Sequence, residues 1–192
     1  MRSATVTRRT RETDITVTLE LDGSGQSTIQ TGNVFFDHML TLLAAHGGLD
    51  LAVNCQGDTD VDFHHSCEDI GSCLGRAVRD ALGDKTGIAR YADIHLPMDE
   101  ALVLGVMDIS GRGAAYLDMT IVAPMVGAFD TELLPEFLHA FARAAGITLH
   151  VRHLCGRNAH HIIEAVFKGL GRALKTACAI TGGGIPSTKG VL

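Results

Sequence analysis

The feature that most constrains this chain is a pattern that occurs twice. HHSCEDIGSCLGRAV at 64–78 lines up with HHIIEAVFKGLGRAL at 160–174, keeping His64 with His160, His65 with His161 and Glu68 with Glu164. Upstream, FDHMLTLLAAHGGLDLAV lines up with EFLHAFARAAGITLHV and pairs His38 with His139. The offset drifts from 101 residues to 96, as loops of unequal length produce. A repeat that keeps chemically special residues in register points to duplication of a whole folding unit.

Hydrophobic periodicity gives the contents of that unit. Residues 3–21 alternate around a charged stretch at Arg11–Asp14, which predicts strand, turn, strand, and 26–31 predicts a third strand. Helical spacing returns over 34–45, a short strand is expected at 49–53, and a second helix at 64–82. The second half repeats the order, with strands expected at 91–95, 101–109 and 114–122, a helix at 131–145, a strand at 147–153 and a helix at 158–180. The expected fold is α+β: one compact domain built from two β-β-β-α-β-α units, 1–86 and 87–192, the second ending in a Gly-rich loop.

Two HHxxE patterns point to metal. Residues four apart on a helix share a face, so His64 with Glu68, and His160 with Glu164, can each grip an ion. The second histidine of each pair points about 100° away around the helix and is better placed for another ion. With His38 and His139 the set is six imidazoles and two carboxylates, enough for two nitrogen- and oxygen-rich sites of the kind that suit Mn²⁺, Fe²⁺, Zn²⁺ or Ni²⁺. The diverging helix directions make it hard for one chain to surround both ions, which favours sites shared between subunits. The low charged fraction, 20%, also favours an oligomer.

Other residues have phosphate or proton chemistry. The segment TGGGIPSTKG brings backbone N–H groups together with Ser187, Thr188 and Lys189, a plausible phosphate cradle although no P-loop is present. Arg90 and Arg112 flank strands, and Lys168 lies one turn after Glu164. Glu12, in the first hairpin turn, is a candidate acid or base. Asp99, Glu100 and Asp108 are candidates for orienting ligand histidines. His46, His95, His150 and His153 fall outside the matched set, with His46 near a helix C-terminus, where a cation is favoured.

A net charge of −6 argues against a nucleic-acid binder. Five cysteines without a CxxC pair, no apolar leader and no long apolar run are expected of a cytosolic protein with reduced thiols and no membrane span.

The segments FDHML, DFHHSCED, PMDEAL, DISGR, RNAHHIIEAVFKGLGRAL and PSTKG resemble imidazoleglycerol-phosphate dehydratase, over nearly the whole chain. Gly113, after SGR, and Cys67 depart from the usual pattern without removing a ligand or charged contact. The resemblance implies the monofunctional form of this histidine-biosynthesis enzyme and a ribosomal protein S5 domain 2-like duplicated fold, two four-stranded sheets with helices packed between them. It also implies two Mn²⁺ ions per subunit and a 24-subunit shell with active sites between subunits. By the same resemblance, His38, His64, His65, Glu68, His139, His160, His161 and Glu164 would bind metal, His65, His161, Glu68 and Glu164 also serving catalysis. Glu12, Arg90, Arg112, Lys168, Ser187 and Lys189 would contact a phosphorylated imidazole substrate, with Glu12 as the acid–base residue. Dehydration would pass through a metal-bound imidazolate and a diazafulvene-like intermediate. Another dinuclear metalloenzyme, such as a hydrolase of phosphorylated small molecules, is the alternative.

Overall fold

The computed structural model describes residues 2–190 and 192. The first half runs β1 (Ser3–Arg9), β2 (Thr13–Glu20), β3 (Ser27–Gln30), α1 (Val34–Gly47), β4 (Asp50–Gly57) and α2 (His64–Leu82). The second runs β5 (Tyr91–Met98), β6 (Ala101–Asp108), β7 (Ala114–Asp118), the short β8 (Met125–Val126) and β9 (Phe129–Asp130), α3 (Leu133–Ala145), β10 (Thr148–Cys155) and α4 (Ala159–Ala177).

The two sheets have the same plan. Strand order is β1-β2-β4-β3 in one and β5-β6-β10-β7 in the other, with the last pair parallel in each. Alternation explains the burial: Ile15, Val17 and Leu19 of β2 face inward, and Thr16 and Thr18 face out. Helix ends follow their local chemistry. Asn33 caps α1 by accepting from the Phe36 N–H at 3.1 Å, and Gly48 takes the left-handed conformation (φ 64°) that ends it. Asn158 caps α4 through the His161 N–H.

Two expectations need correction. The strand expected over 114–122 stops at Asp118, and the chain then forms the β8–β9 ribbon, which has no counterpart among the described residues of the first half. Thr131 anchors this excursion by donating its hydroxyl to the Ala123 carbonyl, a contact that periodicity does not report. The final helix ends at Ala177 rather than 180, because the backbone N–H groups of Ala89 and Arg90 bond to the Ala179 and Ala177 carbonyls there.

The helices fill the space between the sheets, and they cross between halves: α1 lies against α4, and α2 against α3. Matched glycines allow this approach. A Cβ on Gly75 would stand 2.4 Å from the Phe141 carbonyl oxygen, and one on its repeat partner Gly171 would stand 2.4 Å from the Leu43 carbonyl oxygen. The duplicated LGRA thus encodes close helix packing. Gly171→Ala is expected to lower stability by about 1–3 kcal/mol, since overpacking outweighs the gain in helix propensity. Gly169→Ala, whose Cβ would meet only Leu96 at 3.8 Å, is expected to be neutral or stabilising. Thermal unfolding of the two variants checks the difference.

Candidate metal and phosphate sites

The α1–α4 crossing brings together residues from both halves. His38 on α1 joins His160 and Glu164 on α4, and their ligand atoms all lie within 4.8 Å of one another. His160 Nε2 is 3.0 Å from Glu164 Oε2, and Lys168 donates to Glu164 Oε1 at 2.6 Å. Burial works against the charge on Glu164, but Lys168 and His160 overcome it and hold the carboxyl below its ordinary pKa. The donor set is nitrogen and oxygen without sulfur, which fits a divalent ion such as Mn²⁺.

The second histidine of each pair turns elsewhere. His161 donates from Nδ1 to Glu100 at 2.7 Å, and His65 from Nδ1 to Asp58 at 3.0 Å. A carboxylate on Nδ1 leaves Nε2 as the nitrogen available to a ligand, the arrangement usual for a metal-binding imidazole. Glu100 also accepts from the Asn158 and Arg157 N–H groups, and together with His161 these pull its pKa down to about 2. Among the described residues, His64, Glu68 and His139 form no comparable cluster within the chain. Glu12, His65 and Glu68 line one open cleft of about 480 Å³, together with Arg8 and Arg76.

The remaining candidates meet at the far end of α4. Arg90, Arg112, Ser187, Thr188 and Lys189 line one open cavity of about 830 Å³. Arg90 is held in a left-handed backbone conformation (φ 74°) by Ala177 and Ile109, and its guanidinium lies over the Tyr91 ring. Asp108, a candidate for orienting a histidine, pairs with Arg90 at 2.7 Å instead, because the end of β6 faces the Arg90 turn and not the metal cluster. His46 sits in the last turn of α1 as expected, but partial burial and the neighbouring Lys168 and Arg172, brought by α4, lower its pKa. From Glu164 to Ala177 is 13 residues of helix, so the cavity lies about 20 Å along α4 from the His38, His160 and Glu164 cluster.

Motif and spacing do not single out Asp58. Its signal was the acidic run Asp58, Asp60, Asp62 just before HHxxE, where Asp62 also accepts from the His64 N–H.

A family model described as imidazoleglycerol-phosphate dehydratase matches residues 31–174. The chain belongs to the imidazoleglycerol-phosphate dehydratase family. Relatives with that name from Oceanobacillus iheyensis and Methylorubrum extorquens are 55% and 56% identical to this chain, over the full length of both partners. Among solved structures, the Staphylococcus aureus dehydratase is 38% identical with a TM-score of 0.85, covering 93% of this chain and 99% of that one. The Pyrococcus furiosus dehydratase, solved in complex with a ligand, is 41% identical with a TM-score of 0.86, covering 97% and 100%. The duplicated α+β fold is therefore the dehydratase fold. As a hydro-lyase of this family, the chain carries out the dehydration step of histidine biosynthesis. No described helix is long and apolar enough to cross a membrane.

Proposed function

We propose that this dehydratase converts imidazoleglycerol phosphate to imidazoleacetol phosphate with two Mn²⁺ ions per subunit, at active sites shared between copies of the chain in a closed homo-oligomer of 24 subunits in the cytoplasm. The observation that carries the metal reading is the cluster of His38, His160 and Glu164. His161, oriented by Glu100, and the set His64, His65, Glu68 and His139 complete the two ligand groups in this reading. A divalent ion held by these residues would lower the pKa of an azole bound to it and would polarise the departing hydroxyl.

The chain's own residues do the rest. Arg90, Arg112, Ser187, Thr188 and Lys189 grip the phosphate, a non-reacting group whose binding orients the diol. Lys168, beside Glu164, contacts the substrate. Glu12 takes the proton from the carbon next to the one losing water, and the resulting enol becomes the ketone. The separation of about 20 Å between cluster and cavity supports shared sites, because a ring, three carbons and a phosphate cannot span it.

The test is direct. Manganese-loaded protein incubated with imidazoleglycerol phosphate is expected to form a new ketone with the phosphate retained. Release of inorganic phosphate would instead favour a dinuclear hydrolase and overturn the reading.

A further inference from the structure

Strand pairing lets the two halves be compared position by position. Val6 faces Val17, which faces Val53; in the second sheet Ile94 faces Gly105, which faces Val151. An offset of 88 residues therefore relates hairpin β1–β2 to hairpin β5–β6, and it carries Glu12 onto Glu100.

The equivalent glutamates differ in what they hold. Glu100 binds His161 Nδ1 and two backbone N–H groups of the loop before α4. Glu12 makes no such bond: among the described residues its carboxylate has no hydrogen-bond or ion-pair partner. His65, the equivalent of His161, is held by Asp58. Asp58 comes from a longer loop, with six residues between Gly57 and His64 against four between Cys155 and His160. Its backbone N–H donates to the Glu12 carbonyl at 3.0 Å, fastening the two residues together while the Glu12 carboxylate stays free. The second Asp58 oxygen, Oδ1, is enclosed and has no hydrogen-bond partner among the described residues.

We propose that Asp58 is a positioning residue that takes over the orientation of His65 from the hairpin glutamate, and so leaves Glu12 free to exchange a proton with the substrate. The inference rests on the acid–base reading of Glu12. In the first half the longer loop separates two duties; in the second half Glu100 is committed to its histidine.

Asp58→Ala tests it, because the equivalence of the hairpins allows Glu12 to close onto the vacated Nδ1. A crystal structure of the metal-free variant is expected to show the Glu12 carboxylate within hydrogen-bond distance of His65 Nδ1. In the metal-loaded variant kcat is expected to fall about tenfold or more, with KM changed less than about twofold and metal stoichiometry unchanged. In a Glu12→Gln background, adding Asp58→Ala is expected to change kcat by less than about twofold, since both act through one group. An unchanged kcat, a Glu12 carboxylate that stays away from His65, losses that multiply in the double variant, or a loss of bound metal would each overturn the proposal. If Glu12→Gln alone keeps normal turnover, the acid–base reading falls and takes this inference with it. If Glu12→Gln is inactive and Asp58→Ala is not impaired, only the inference falls.

Discussion

Removing divalent metal with a chelator is expected to abolish turnover, and Mn²⁺ is expected to restore it. The expectation follows from the donor groups. His38, His160 and Glu164 converge from two helices of different halves, and only part of the proposed ligand set converges within one chain. If neighbouring copies complete the sites, metal removal should also loosen the assembly. Sedimentation velocity of the stripped protein is expected to show smaller species that reassemble with Mn²⁺; unchanged sedimentation after complete removal would exclude ions that bridge subunits. The fold of each chain should survive. The core is apolar and independent of the site, and Lys168 still neutralises Glu164 when no ion is present. Far-UV circular dichroism is therefore expected to be retained, which separates metal in assembly and chemistry from metal in folding.

Glu12→Gln is expected to lower kcat by about 10²–10⁴, the range that a positioned general acid–base residue contributes. The amide keeps the shape of the side chain but cannot take up the proton. The turn itself should not change. It is held by the Thr10 hydroxyl, which accepts from the Glu12 and Thr13 N–H groups, and by Thr13 Oγ1, which donates to buried Asp69 at 2.6 Å. None of these bonds uses the Glu12 side chain. KM is expected to stay within about threefold, because the residues proposed to hold the phosphate line a different cavity. Steady-state kinetics on the metal-loaded variant decide this, and near-normal turnover would remove Glu12 from the acid–base role.

Much of the molecule was legible locally. The helix at His64–Leu82 begins and ends where the periodicity places it, and Gly48 and Gly146 stop α1 and α3 through their left-handed conformations. The β8–β9 ribbon was not legible, since strands of two residues carry no period. The role of Asp108 was misplaced for a related reason. Its position at a strand end was readable, but its neighbour, Arg90, comes from a separate turn held against α4.

The same division runs through the candidate sites. The amino-acid sequence by itself determined the duplication, the helix faces that carry His160 and Glu164, and the chemical kinds of donor, because spacing along a helix is local geometry. Only the tertiary structure decided that His38 reaches His160 and Glu164 of the other half and that the phosphate candidates gather about 20 Å away along α4. It also decided that Asp58, and not Glu12, holds His65. Each of these depends on how helices cross and loops fold back, and close packing across long sequence separations sets that, while periodicity reports only neighbours on one element.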